Sequence, residues 1–243
     1  MKQINAIIFD VGGTLTDYFT LFNKIDQQLL KEQGISVSLK KIRKITKEID
    51  GKYAEKVSKL PGKKLSYFFS TKIVKKLNIK FDKLTEKNVI NYHADNFSKR
   101  VDWNKLKLFP DVLPVIKKLK KNFRIVTLSN TDDTVLHEQL LRKLKLFNHF
   151  EFHTDSDRSK SMKPAKKVFI YVIKKLDLTP EEIAIVGDTP FSDIIGGNQM
   201  GMLTVLLNRR KIKYELKKDL KSDYEIYSLK ELLKIKEIKE QIG

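Results

Sequence analysis

Three short apolar runs in this chain each end in a side chain that carries oxygen. Residues 4–9 stop at Asp10, residues 123–128 at Ser129-Asn130, and residues 183–186 at Gly187-Asp188. Short runs of this kind suit strands buried on both faces, as in a parallel sheet. In an open α/β sheet, ligands bind beyond the carboxyl ends of the strands. Two carboxylates and a hydroxyl are therefore expected to converge on one edge. Hard oxygen ligands with room for water suit Mg²⁺, which seldom sheds all its waters. Lys163, followed by Pro164, is expected to begin a helix, and it supplies a cation able to face a phosphate. Carboxylate, metal, hydroxyl and Lys together describe a phosphoryl-transfer site. Each piece alone has a plainer explanation, since an Asp after a strand commonly caps a turn or a helix. The combination is what is specific.

The elements that must position these groups are legible from periodicity. Over residues 20–98 the apolar positions recur at three and four: Ile25, Leu29 and Leu30, then Ile42, Ile45 and Ile49. Tyr67, Phe68, Ile73, Val74 and Leu77 continue the pattern, followed by Val89, Ile90, His93 and Phe97. Breaks at Gly34, Pro61-Gly62 and residues 78–82 divide this stretch into four helices with no strand. After Pro110 helix and strand alternate. Helices are expected at 112–121, 132–144, 165–176 and 192–200, and strands at 123–128, 183–186, 203–206 and, more weakly, 224–226. A Lys/Glu-rich helix closes the chain. Alternation of this kind means βαβ units and a parallel sheet covered on both faces. The expected fold class is α/β, a doubly wound parallel sheet with an inserted all-helical domain. The core would span 1–18 and 100–243, and the insert 19–99.

Composition sets bounds on function. There is no Cys, which excludes disulfides, thiolate catalysis and zinc–sulfur sites. The opening residues MKQINAIIFD hold too short an apolar run to span a membrane and no signal-cleavage pattern, so a cytoplasmic location and no membrane partner are expected. A formal net charge of +19 favours anionic partners. Yet only seven of the 49 basic residues are Arg, the usual choice for bidentate phosphate and base readout. The Lys-rich surface reads as solvated faces, and a nucleic-acid partner is not expected. Nothing in the sequence fixes an oligomeric state. The four His (His93, His137, His149, His153) lack metal-ligand spacing and read as surface or satisfied residues. Trp103 with Leu106 and Leu108 reads as core or hinge. Residues 59–64 join two helices of the insert, as a solvated turn or a substrate contact.

The motifs also carry a resemblance. Asp10-Val11-Gly12-Gly13-Thr14-Leu15 resembles the first motif of the haloacid dehalogenase superfamily, usually Asp-x-Asp-Gly-Thr-Leu. Thr127-Leu128-Ser129-Asn130 is similar to its second motif and Lys163-Pro164 to its third. The run from Val186 through Asp188 and Asp193 to Gly201-Met202 resembles the fourth. All four stand in the family's order and spacing, with the insert in the place of the family's helical cap. The resemblance implies a Mg²⁺-dependent phosphatase acting on a small phosphorylated metabolite. Asp10 would be the nucleophile and form an aspartyl-phosphate. Asp10, the Gly12 carbonyl and Asp188 would hold Mg²⁺, with Asp193 as ligand or close behind. Ser129 and the Asn130 N–H would bind phosphoryl oxygens, and Lys163 would neutralise charge on Asp10 and the phosphate.

One departure matters. The family's phosphatases carry a second Asp where this chain has Gly12, and that group protonates the leaving group and later activates water. Such a general acid/base typically contributes about 10²–10⁴-fold. A glycine offers only a backbone turn and its carbonyl. Asp17 is the nearest substitute in sequence. Two other readings follow from the same departure: a catalytically weakened protein that binds a phosphorylated ligand, and a 2-haloacid dehalogenase. Those dehalogenases also lack the second Asp but use no metal, and the intact Asp188 and Asp193 argue for phosphate chemistry.

Overall fold

The computed structural model describes residues 3–60, 62–131, 133–215 and 220–242. Pro61 and Asp132, placed by the sequence at a helix break and a helix start, lie outside the described residues. The chain opens with β1 (Ala6–Phe9) and continues through four helices, α1 (Tyr18–Glu32), α2 (Leu39–Ser58), α3 (Gly62–Lys76) and α4 (Lys83–Phe97). Then come α5 (Val112–Leu119), β2 (Arg124–Ser129), α6 (Thr134–Lys143), β3 (Phe152–Asp155) and the single turn α7 (Ser156–Ser159). The remainder is α8 (Lys166–Leu176), β4 (Ile183–Gly187), α9 (Ile195–Met200), β5 (Leu203–Leu207), β6 (Tyr224–Ile226) and α10 (Lys236–Ile242). Packing divides the chain into two compact units: Met1–Asp17, Lys107–Lys211 and Leu216–Gly243 in one, Tyr18–Leu106 and Ile212–Glu215 in the other.

The first unit is built on a six-stranded sheet in the order β3-β2-β1-β4-β5-β6, every pair parallel. This is the doubly wound α/β core that the sequence implies. Phe9 stands opposite Thr127 of β2 and Val186 of β4, so β1 lies centrally between them. Its alternate residues feed two cores. Ile7 and Phe9 pack with Val112, Ile116 and Val205 on one face, and Ala6 and Ile8 with Leu128, Phe169 and Ile185 on the other. Burying such side chains contributes about 1.5–3 kcal/mol each, and it fixes the register because a one-residue slip would exchange the faces.

Several expectations need correction. The edge strand β3 was not foreseen, because its sequence Phe-His-Thr-Asp is neither apolar nor alternating. His153 within it is partnered by neighbouring segments instead. The Phe147 carbonyl can only accept, so His153 donates Nε2–H to it (3.0 Å), which leaves Nδ1 to accept from the Thr127 hydroxyl (3.0 Å). Lys163 does not begin a helix. The Lys163–Pro164 peptide is cis, Ala165 is the N-cap, and α8 starts at Lys166. The helix expected from 192 is a π turn over Pro190–Ile194 that passes into α9. The closing helix is a 3₁₀ stretch, Leu229–Lys234, followed by α10.

The second unit contains the four expected helices. Leu30, Ile42, Ile45, Ile49, Ile73, Val74, Leu77, Val89 and Ile90 form its core. The Ser38 hydroxyl accepts from Lys41 N–H ahead of α2, and the Asp82 carboxylate from Leu84 and Thr85 N–H ahead of α4. Residues 212–215 join this unit, with Glu215 N–H donating to the Gly51 carbonyl at 3.1 Å.

His93 is not a surface residue: it is buried among the helices with Ser70 and Asp26. The Ser70 hydroxyl donates to the Ser66 carbonyl (2.8 Å), so its oxygen accepts the Nδ1–H of His93 (2.8 Å). Nε2 then stands bare, 3.4 Å from Asp26 Oδ1. That distance would allow an ion pair, but burial favours two neutral groups. It pushes the His93 imidazole down to about 4. Burial, helped by the charge of Asp50, raises the Asp26 carboxyl well above the usual carboxylate range. The two act on stability with opposite sign. His93 contributes stability above its unfolded value near 6.5, and this is lost as pH falls toward 4. Asp26 contributes stability that is present below the ordinary carboxylate range and lost as pH rises through its raised value. Asp26→Asn should therefore raise the melting temperature, and more at pH 8 than at pH 5. Thermal denaturation of the full chain at both pH values is the check, and an equal gain at both, or a loss at pH 8, would contradict the assignment.

Candidate active site

The polar groups at the strand ends do meet. All strands point the same way, and the order places the reversal of winding between β1 and β4, the crevice where doubly wound sheets bind ligands. Asp10 follows β1, with its N–H donating to Val186 O at 2.9 Å, and Asp188 follows β4. Asp193 comes from the π turn, a distortion often found at functional sites. Asp10, Asp188 and Asp193 are all buried, and each offers an oxygen within 4.8 Å of the others.

Lys163 holds this cluster together. Its ammonium donates to Asp10 Oδ1 (2.7 Å), Asp193 Oδ1 (2.7 Å) and the Leu128 carbonyl (2.8 Å), so all three of its protons are engaged. Burial alone would lower the Lys163 pKa, but Asp10 and Asp193 outweigh it and hold the ammonium above its ordinary value. Burial pushes the Asp193 carboxyl up to about 6 against the pull of Lys163. Asp188 is raised well above the usual range by burial first and then by the charges of Asp10 and Asp193. Thr14 donates its hydroxyl to Asp188 Oδ1 at 3.3 Å, and Thr189 N–H donates to Asp193 Oδ2 at 3.1 Å. Asp10 Oδ2 is buried without a hydrogen-bond partner.

The loop after Asp10 has its own turn chemistry. Leu15 and Thr16 N–H both donate to the Val11 carbonyl (3.0 Å each), and Gly13 N–H to Thr16 O (2.9 Å). The left-handed conformation falls on Gly13 (φ 80°) and not on Gly12, so the tight turn expected at Gly12 belongs to its neighbour. Asn130, expected to offer its N–H to phosphate, also works through its side chain. Its amide accepts from Lys163 N–H (2.8 Å) and donates to Lys163 O (3.2 Å), which fixes the backbone from which the ammonium projects. Ser129 is buried at the end of β2. Asp17 is half-buried, and its N–H donates to Lys107 O at 2.8 Å. None of the four His belongs to a carboxylate–imidazole metal cluster among the described residues.

Three supporting residues escaped the sequence reading. Gly187 lies so close to the Asp193 carboxylate that any Cβ there would collide with it. The Thr14 hydroxyl reaches Asp188 across 174 positions and Arg209 Nε–H donates to the Thr14 carbonyl at 3.2 Å across 195, partnerships for which the local sequence carries no signal.

A buried aspartate paired with a lysine, flanked by two more carboxylates at the switch point of a doubly wound sheet, defines an α/β hydrolase site of the phosphoryl-transfer type. The sequence model described as "Hydrolase: haloacid dehalogenase-like hydrolase" matches residues 4–201, and the chain belongs to that family. It is therefore an enzyme, a hydrolase. It is 26% identical over 241 residues to a glyceraldehyde 3-phosphate phosphatase of Pyrococcus furiosus, covering 98% of this chain and 95% of the relative. A protein of the same name from Methanopyrus kandleri is 27% identical over 240 residues, 96% of this chain and 97% of its own. Among solved structures, the putative hydrolase YfnB of Bacillus subtilis, bound to magnesium, superposes with a TM-score of 0.69 at 21% identity, covering 96% of this chain and 99% of that one.

Removing one partner of a buried ion pair typically costs about 3–5 kcal/mol, because the other charge is left uncompensated. Lys163→Met should destabilise the protein by that order in denaturant unfolding. A loss below about 1 kcal/mol would mean that the carboxylates do not depend on this ammonium.

Proposed function

We propose that this hydrolase is a Mg²⁺-dependent phosphatase that acts on a small phosphorylated metabolite through an aspartyl-phosphate at Asp10. The observation that carries the reading is the state of the Asp10 carboxylate: one oxygen is held by Lys163, and the other is buried without a partner beside Asp188 and Asp193. The full-length likeness to glyceraldehyde 3-phosphate phosphatases supports a phosphorylated aldehyde or sugar of similar size, so glyceraldehyde 3-phosphate is the first substrate to assay.

A divalent cation fits the residues present. Three buried carboxylates lie together, Lys163 bonds to two of them, the Arg210 charge offsets part of the third, and Asp10 Oδ2 has no hydrogen-bond partner, a hard-oxygen set that suits a cation. Asp10, Asp188, Asp193 and the Gly12 carbonyl would hold it. When bound, it would supply charge neutralisation for the phosphoryl oxygens and the nucleophile. Asp10 attacks phosphorus in line, and the new Asp10–O–P bond forms as the ester P–O bond breaks. Water then attacks phosphorus, releasing phosphate and restoring the carboxylate. Lys163 orients Asp10 for attack through its hydrogen bond to Oδ1, and it reaches phosphate only by giving up one of its three acceptors. Gly12 offers no proton to the departing alkoxide. That absence favours a second reading, a weakened protein that binds phosphorylated ligands with slow turnover. The helical unit would serve as the substrate-selecting cap domain.

Asp10→Asn should abolish hydrolysis of p-nitrophenyl phosphate and any acid-stable phosphoenzyme adduct, and chelation of divalent metal should stop turnover. Turnover near the wild-type rate in either test would remove Asp10 or the metal from the reaction. Acid catalysis matters most for poor leaving groups, so aryl phosphates should be hydrolysed far better than alkyl phosphates. Gly12 has no left-handed φ, so a side chain is compatible with its backbone. Gly12→Asp should speed alkyl phosphate hydrolysis by up to about 10²–10⁴-fold at saturating Mg²⁺. If the native protein already turns over an alkyl phosphate at tens per second, on the order of a typical enzyme, and Gly12→Asp adds nothing, another residue supplies the proton and Asp17 is the first to mutate.

A further inference from the structure

Behind the carboxylate cluster lies a second buried ionic node that the chemistry above does not use. Arg209 follows β5, and its guanidinium engages Asp111 in a bidentate pair. Nη1 donates to Oδ2 and Nη2 to Oδ1, both at 2.9 Å, with each side chain about 10% exposed or less. Asp111 Oδ2 also accepts from the Ser228 hydroxyl (2.8 Å) and the Leu229 N–H (2.8 Å). Phe109 lies under the guanidinium, 4.1 Å from Cζ to the ring centre. A third donor of this fork, Nε–H, points elsewhere, to the Thr14 carbonyl at 3.2 Å. That carbonyl belongs to the loop carrying Asp10 and Gly12, and the Thr14 hydroxyl reaches Asp188.

We infer that Arg209 is a positioning residue for the active site: anchored on Asp111, it holds the nucleophile loop by the Thr14 carbonyl and so sets the Thr14 hydroxyl against Asp188 and the Gly12 carbonyl beside Asp10. The chemistry of the side chain supports this role. Only a guanidinium has a planar fork that can saturate both oxygens of one carboxylate and still donate in a third direction. A lysine could hold Asp111 or Thr14 but not keep both in fixed geometry. Asp111 is in turn fixed by Ser228 and Leu229, so the loop is referred to the end of β6 as well as to β5. Burial would raise the Asp111 carboxyl, but Arg209, Ser228 and Leu229 N–H outweigh it and hold it below the ordinary range, so the anchor stays charged. The link is specific to this loop, because the only backbone acceptor that the described hydrogen bonds give Arg209 is Thr14.

The inference rests on the site assignment above, but it is tested with measurements that do not need turnover. In the full chain, well below its melting temperature, Arg209→Lys should reduce hydrogen-exchange protection of the Leu15 and Thr16 amides at least tenfold while leaving β1 and β4 protected. Calorimetric titration with Mg²⁺ should show about 10–100-fold weaker binding, the range typical when a group that orients metal ligands is lost. With p-nitrophenyl phosphate, kcat should fall by a similar factor and KM stay within about twofold, because the substrate does not touch Arg209. Thr14→Val should weaken Mg²⁺ binding likewise, and the double variant should be little worse than either single one, since both act along one path. If Arg209→Lys does not fold, Ser228→Ala, which loosens only the far side of Asp111, should give the same pattern with smaller amplitude. A variant with a lower melting temperature but unchanged loop exchange and unchanged Mg²⁺ affinity would overturn the inference and reduce the node to a structural brace. A wild-type chain that binds Mg²⁺ yet hydrolyses no phosphate ester would overturn the proposed function alone, with the exchange and calorimetric results still deciding the role of Arg209.

Discussion

Asp10, Asp188 and Asp193 place their oxygens within 4.8 Å of one another in a buried pocket of charge, and the Lys163 ammonium is what allows them to remain there. Two unit charges at that separation repel by roughly 3 kcal/mol even at an effective dielectric of about 20. Three such pairs would approach the total stability of an ordinary domain, about 5–15 kcal/mol. Lys163, with the Arg210 charge near Asp188, compensates only part of this, and burial together with the remaining repulsion keeps the Asp188 and Asp193 carboxyls raised. The site is therefore poised to accept more positive charge. Energy stored as like-charge repulsion would become affinity on binding a cation, the use that the proposed function assigns to it.

Much of the surrounding structure serves to keep these groups from moving apart. The parallel sheet brings Asp10 and Asp188 to adjacent strand ends, and the register of β1 against β4 fixes their relative height. The π turn after β4 brings Asp193 back over Gly187, at a position where no residue with a Cβ would fit. Asn130 pins the backbone at Lys163 with two hydrogen bonds, so the ammonium approaches from a fixed point. The sheet register and the Asn130 amide act between distant segments, the π turn acts within one, and none adds a further charge to the cluster. The helical unit is held differently, by an apolar core whose one buried titratable pair, His93 and Asp26, is kept neutral by burial.

How far the sequence foretold this depends on the kind of signal. The four insert helices and the strands β1, β2, β4 and β5 were legible because their apolar periods are long or unbroken, and burial on two faces leaves little choice of residue type. The edge strand β3 was not, because its residues give no apolar or alternating pattern and His153 finds a partner in Thr127, which local sequence does not reveal. Lys163-Pro164 was misread as a helix start because Lys-Pro commonly opens one, whereas the helix expected from residue 165 starts at Lys166 with Ala165 as its N-cap. The tight turn assigned to Gly12 fell on Gly13, since two adjacent glycines leave open which one carries the left-handed φ.

The sequence by itself determined the fold class and the family, and it singled out Asp10, Asp188 and Asp193 as candidates, because each depends on residue types placed at the ends of predictable elements. It also determined the lack of a carboxylate at Gly12, a fact of covalent chemistry that no folding can alter. Only the tertiary structure decided that Lys163 spends all three protons on two carboxylates and a carbonyl, that Asp10 Oδ2 is left without a partner, and that Arg209 reaches Thr14 across 195 positions of chain. The reason is that hydrogen bonds and charge pairs depend on distances of a few ångströms. Periodicity constrains which face a residue occupies, whereas those distances are set by how the whole sheet, its turns and its helices pack.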